Sequence, residues 1–194
     1  MRFLTEKILW SQIREGDMSA FEELFNLYAD SLLAYGMKFT HDRERVKDII
    51  QDLFVRIIKR HDSLPEVENV KAYLLQAFRN NLINNLSTDR LCSFDENDLL
   101  RQQAEDNIME TVDDYSPDDD MLRRRLRVNR ALMTLTPHQK EIIYLRYVQE
   151  LPSSDIARML GIKEKTSASQ LARAKAQLAK RIREVVGSAS HNEE

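Results

Sequence analysis

The chain has 194 residues, 42% of them apolar and 31% charged, which is enough for one large or two small cores and excludes disorder throughout. Only 4 Gly and 4 Pro stand among abundant Leu, Ala, Arg, Lys, Glu and Gln, so helix formers dominate and an all-α fold is predicted. The single cysteine, Cys92, excludes a disulfide framework and a multi-cysteine metal centre. The net charge of −3 hides a segregation: residues 1–94 are nearly neutral, residues 95–120 hold 1 Arg against 11 Asp/Glu, and residues 121–186 hold 15 Lys/Arg against 5 Asp/Glu.

The N-terminal stretch carries charges throughout and has no continuous apolar run, so it is read as no secretory signal, and no segment approaches a membrane span. The expected setting is the cytoplasm, without membrane insertion. A short amphipathic helix is predicted from Thr5 to Arg14, ended by Gly16. Asp17 or Ser19 then caps a longer helix to about Phe39, with Phe21, Leu24, Phe25, Tyr28, Leu32, Leu33 and Tyr35 at three- and four-residue spacings.

A third helix is expected from about Asp42 to Arg60. Val46, Ile49, Ile50, Leu53, Phe54, Ile57 and Ile58 form its apolar stripe and leave Arg43, Lys47, Asp48, Gln51, Asp52 and Arg56 outside. Residues His61 to Asn69 form a loop around Pro65. Helical period returns from Val70 to about Leu86, with Tyr73 and Phe78 on the apolar stripe. These four helices make a first domain, 1–86. From 87 to 120 the composition becomes acidic and poor in apolar residues, as a linker would be.

A second domain, 121–186, opens with the basic amphipathic stretch MLRRRLRVNRALMTL and is followed by a tail, 187–194. Thr136-Pro137-His138-Gln139 offers a capping box with proline at the first helical position, and the helix it starts holds Ile142, Ile143, Leu145, Tyr147 and Val148. A short helix from about Ser153 to Leu160 is closed by Gly161, and a last helix runs from about Glu164 to Val186. Two short helical patterns joined by a glycine turn, the second long and basic, read as a helix-turn-helix that enters a major groove. Leu171, Ala174, Leu178 and Ile182 of the last helix are expected to pack on Ile156, Leu160 and Ile162. The opposite face would present Lys165, Thr166, Ser169, Gln170, Arg173 and Gln177 to base edges and phosphates.

Catalytic chemistry has no comparable support. His41, His61, His138 and His191 are scattered, and there is no HExxH, glycine-rich phosphate loop or GxSxG. The acidic run Asp118–Asp120 lacks the alternating ligands and turn glycine of a calcium loop. A protein that is not an enzyme, with neither cofactor nor metal, is the expectation.

The residues also carry a resemblance. Asp48-Ile49-Ile50-Gln51-Asp52-Leu53-Phe54 is similar to the D-[LIV]-[LIV]-Q-[DE]-x-F run of bacterial sigma factor region two, and Ala72-Tyr73-Leu74 followed by Phe78-Arg79-Asn80 to that region's A-W/Y-L and A-R-N helix. The last fifty residues resemble region four. Two regions with no room for a full third point to the extracytoplasmic-function (ECF) type of the sigma-70 family.

The resemblance implies a factor that binds core RNA polymerase and directs initiation at promoters. Asp48, Gln51, Asp52 and Phe54 would belong to the helix that docks on the beta-prime clamp, polar residues outward and apolar ones inward, while the second domain meets the beta flap. Arg60, Lys71, Arg79, Asn80 and Asn84 would hold unstacked bases of the minus-10 element. Lys165, Thr166, Ser169, Gln170 and Arg173 would meet the minus-35 element, and an anti-sigma partner would mask these surfaces. Ser167 replaces an apolar anchor of the region-four pattern, Ala168 and Gln170 replace basic residues, and Pro152 stands where a capping serine is common. The last helix is therefore expected to position more than to supply affinity. The competing expectations are a conventional helix-turn-helix regulator with a sensing or dimerisation domain, and a helical module that binds protein alone.

Overall fold

In the computed structural model the described residues are 2–88, 128–129 and 131–189. They fall into two units, 1–94 and 95–194. The first is built from α1 (Arg2–Arg14), α2 (Met18–Gly36), α3 (Arg43–Lys59), a 3-10 turn (His61–Ser63) and α4 (Val70–Thr88). Asp17 is the cap of α2: its carboxylate accepts from the Ser19 N–H at 2.8 Å and the Ala20 N–H at 3.3 Å, and these bonds hold its pKa below the ordinary 3.8. Asp42 caps α3 by accepting from the Arg45 N–H at 3.0 Å, and the Asn69 Oδ1 caps α4 by accepting from the Ala72 N–H at 3.1 Å.

Helix α2 stops at Gly36, a turn short of the expected Phe39. The Gly36 site is crowded, for a Cβ there would lie 2.5 Å from Val46 Cγ1 and 2.9 Å from Phe78 Cζ. Glycine thus lets α2 close on α3 and α4. The core between them holds Leu24, Tyr28, Leu32, Tyr35, Val46, Ile50, Leu53, Leu74, Phe78 and Leu82, all buried. Helix α1 adds Leu9, Trp10 and Ile13 to the same apolar interior.

In the second unit residues 128–129 and 131–133 are helical, followed by α5 (Pro137–Tyr147), α6 (Ser153–Leu160) and α7 (Glu164–Ala189). Thr136 and Gln139 form the reciprocal capping box expected of them. The turn after α5 is held by Arg146, which donates to the Leu151 carbonyl at 2.9 Å, and by buried Gln149, which donates to the Tyr144 hydroxyl at 3.0 Å. Between them Glu150 takes a left-handed φ of 57°. Helix α6 ends in a Schellman turn: the Ile162 N–H bonds the Ala157 carbonyl at 2.9 Å and the Gly161 N–H the Arg158 carbonyl at 3.3 Å. Gly161 supplies the required left-handed φ of 67°. The expected linker and most of the basic stretch that follows it lie outside the described residues.

Candidate protein and nucleic-acid interfaces

On α3, Asp48, Gln51 and Asp52 are exposed, and their spacing of three and four places them on one face. Val55, seven positions after Asp48, falls in the middle of the same face and is 43% exposed. The apolar stripe as read from the sequence omitted Val55, and its helical phase was the signal that could have found it. Phe54, grouped with the polymerase-contact residues of this helix, lies on its inward face, as its place in the apolar stripe implies. It is 2% exposed, with its ring met edge-on by Phe21 at 5.7 Å and Phe25 at 5.0 Å, so it cannot touch a partner and instead anchors the helix that carries the polar row. Burial of such a ring contributes on the order of 1.5–3 kcal/mol. The nearby Lys47–Glu44 pair at 2.6 Å is exposed and adds little.

The five residues expected at the minus-10 element do not share one face. Arg60 is exposed at the end of α3, and its carbonyl accepts from the Ser63 N–H at 2.9 Å and hydroxyl at 3.1 Å. Asn80 and Asn84 are exposed one turn apart on α4, while Lys71 and Arg79 are half-buried on other sides of the helix. Tyr73, expected on the apolar stripe with Phe78, is only half-buried, whereas Phe78 is fully buried. Steps of four, three and four put Tyr73, Ala77, Asn80 and Asn84 on one row. Burial pushes the Tyr73 phenol up from its ordinary value, against the opposing charge of Arg60. The Tyr73 ring meets Trp10 edge-on at 5.1 Å, and the Trp10 N–H donates to the Pro65 carbonyl at 2.9 Å.

On α7, Lys165, Ser169 and Arg173 are exposed and follow one another at steps of four, with Thr166 half-buried beside them. The Ser169 hydroxyl donates to the Thr166 carbonyl at 2.9 Å. Gln170 is not on this outward row. Its Oε1 lies 2.8 Å from His138 Nε2 of α5, and Gln177 likewise donates to the Thr134 carbonyl at 2.9 Å and pairs with the Gln139 amide at 3.3 Å. These amides belong to the α5–α7 seam because the packed face of α7 is centred on Ser167, 1% exposed, and Ala174, fully buried. Leu171, Leu178 and Ile182 stay half-buried at its edge. Small residues at both anchor positions bring α7 close enough for α5 to bond its flank. Lys175 sits over the Tyr147 ring at 6.0 Å, the outer limit of a cation–π contact.

Among the described residues no cluster of three His, Cys, Asp or Glu side chains could hold a metal ion, and no helix is long and apolar enough to cross a membrane. The fold and these surfaces define a two-unit helical protein whose second unit is a helix-turn-helix with a basic outward row.

Comparison with known proteins specifies the class. Residues 24–91 match the family profile of sigma-70 region 2, and residues 125–178 that of sigma-70, region 4. The chain is 26% identical over 167 residues to the RNA polymerase sigma factor YlaC of Bacillus subtilis (strain 168), covering 83% of this chain and 91% of that one. It is 20% identical over 177 residues to the ECF RNA polymerase sigma factor SigW of the same organism, covering 90% and 95%. The fold is similar to that of the sigma factor RpoE of Bartonella quintana, solved in complex with the anti-sigma factor NepR, with a TM-score of 0.54, 19% identity and coverage of 84% and 96%. The chain belongs to the sigma-70 family, as a member of the ECF type. It is a factor that binds core RNA polymerase and promoter DNA and directs promoter-specific initiation of transcription.

Proposed function

We propose that the first unit docks on the beta-prime clamp of core RNA polymerase through Asp48, Gln51 and Asp52, with Val55 filling the apolar centre of that contact. The loop 61–69 and α4, with Arg60, Lys71, Arg79, Asn80 and Asn84, hold the opened minus-10 element. Helix α7 lies in the major groove of the minus-35 element, with Lys165 and Arg173 on phosphates or guanine edges and Thr166 and Ser169 alongside. The second unit meets the beta flap. Residues 1–86 and 121–186 act as two domains about an acidic linker. The factor works in the cytoplasm, where its template is, and needs no chemistry of its own because polymerase forms the phosphodiester bond.

The observation that supports this best is the pair of outward rows, acidic on α3 and basic on α7, each backed by a buried anchor: Phe54 in one case, Ala174 in the other. RpoE of Bartonella quintana is bound by an anti-sigma factor. By analogy with it, an anti-sigma partner holds this chain inactive by covering the same rows.

Run-off transcription with purified core polymerase tests the assignment. The double variant Asp48→Lys/Asp52→Lys should lose core binding while the protein still binds duplex DNA, and Lys165→Ala/Arg173→Ala should show the converse. Wild-type initiation by Asp48→Lys/Asp52→Lys would refute the α3 contact.

A further inference from the structure

We propose that Trp10 is a positioning residue for minus-10 recognition, setting where the loop between the 3-10 turn and α4 stands relative to the Tyr73–Asn80–Asn84 row; this rests on the reading of that loop as a minus-10 contact. Trp10 lies on α1, ahead of the residues 24–91 that match region 2. It is 2% exposed, yet its indole N–H crosses 55 sequence positions to the Pro65 carbonyl at 2.9 Å.

The position of that bond gives it leverage. The loop ends are held locally, at one side by the Ser63 hydroxyl on the Arg60 carbonyl at 3.1 Å and at the other by the Asn69 cap on Ala72 at 3.1 Å. Residues 64–67 between them have no regular secondary structure. A tie to Pro65 therefore fixes the loop where it leaves buried Leu64 and the 3-10 turn, and so sets the direction in which the remaining residues run toward α4. The same indole meets Tyr73 edge-on at 5.1 Å and 63°, so one rigid ring fixes both the loop and the first member of the α4 row. Tryptophan suits this role because it joins a broad apolar ring to a single donor; phenylalanine would leave both a cavity in the packed site and the carbonyl unbonded.

A second contact between α1 and the loop runs the same way. His61 Nδ1 lies 3.4 Å from the Arg14 carbonyl, and Gly16, at a φ of +91°, leaves a gap in which a Cβ would stand 3.4 Å from His61 Cε1. Helix α1 and the turn after it thus form a bracket along the loop. A site whose supporting groups are locked in this way holds its geometry when single-stranded bases arrive.

The test uses the full chain with core polymerase and a promoter library randomised across the minus-10 element. A benzothiophene isostere of tryptophan at position 10, which removes only the N–H, should keep core affinity near wild type, whereas Trp10→Phe, which also opens a cavity in a buried site, should in addition lower the melting temperature. Both should narrow the ratio between favoured and disfavoured minus-10 sequences by about two- to tenfold, the equilibrium worth of one intramolecular hydrogen bond. Unchanged preference in the isostere overturns the proposal. So does an equal loss on every promoter together with weaker core binding, since that would make α1 a fold support only. Arg60→Ala and a Glu66→Lys/Glu68→Lys loop variant are run in parallel. If they change the preference and the isostere does not, the positioning role of Trp10 alone fails; if none changes it, the reading of the loop fails as well.

Discussion

Single residues in this chain are chosen for different physical reasons even when they are of one type. Gly161 has open space around it, with nothing within 4 Å of an added Cβ, but a φ of 67°. Gly36 has the reverse, ordinary backbone and a crowded site. Gly161→Ala should therefore cost about 1–2 kcal/mol through backbone strain alone, read as a lower melting temperature of the second unit, and D-alanine at the same position should cost almost nothing. A loss with D-alanine equal to that with L-alanine would place the effect elsewhere. Asp17 gives a pH dependence of known sign. Its folded pKa lies below the ordinary 3.8 because the Ser19 and Ala20 N–H groups favour the charged form. Its contribution is present above 3.8 and is lost as pH falls through the lower folded value. Asp17→Asn should keep the cap but flatten this part of the acid melting curve, so the two proteins converge in acid. At this scale the caps at Asp17 and Thr136 and the stop at Gly161 were legible in the sequence, since each rests on bonds to residues within a few positions. The Trp10–Pro65 bond was not, because nothing local marks a donor whose acceptor lies 55 positions away.

Among the described residues whole helices were legible in extent and period, but their rotation about the long axis was less so. The apolar count of α3 located its stripe, Phe54 included, and Asp48, Gln51 and Asp52 do face outward; Phe54, grouped with them by its place in the motif, supports the helix from the inner side. In α7 the sequence put Gln170 and Gln177 on the outward face, whereas His138, Gln139 and the Thr134 carbonyl take them into the α5 seam. The cause is the small side chains at the seam. Ala174 was placed on the packed face, but Ser167 carries too little apolar volume to mark its centre by hydrophobicity, so the larger leucines at 171 and 178 drew the predicted phase toward themselves. The exposed row left for the proposed DNA contact is Lys165, Ser169 and Arg173. Removing Lys165 or Arg173 should weaken duplex binding on all sequences if the residue meets phosphate, lowering the slope of log affinity against log salt by about 0.9 for each contact. His138→Ala should instead lower the melting temperature of the second unit and leave that slope unchanged. A changed slope in His138→Ala would return Gln170 to the DNA face.

On the scale of the whole chain, the charge is arranged in blocks: an almost neutral region-two unit, residues 95–120 with 11 acidic side chains, and a basic region-four segment. An acidic block joined in sequence to a basic segment would compete with phosphate for the cations of that segment. Neutralising Asp113, Asp114, Asp118, Asp119 and Asp120 to Asn should therefore raise the affinity of the full chain for random duplex DNA at low salt. The gain should shrink as salt shortens the screening length. Fluorescence anisotropy over a salt series measures it, and equal affinities at low salt would assign the block a tethering role only. The presence of region two ahead of region four could be read from the sequence because two motifs, DIIQDLF and the Leu160-Gly161-Ile162 turn, lie in separate segments of distinct charge.

The capture of Gln170 and Gln177 by α5 has a consequence for how such a factor changes over generations. Side chains that hold α7 in place and side chains that face outward from it are different sets, one bonded into the seam and the other at steps of four along the open side. Lys165, Ser169 and Arg173 can be exchanged without disturbing a single bond of the seam. Under the proposed minus-35 contact, promoter preference would be free to drift while the scaffold stays constant, and a duplicated gene would reach a new set of target operons through three substitutions on one ridge.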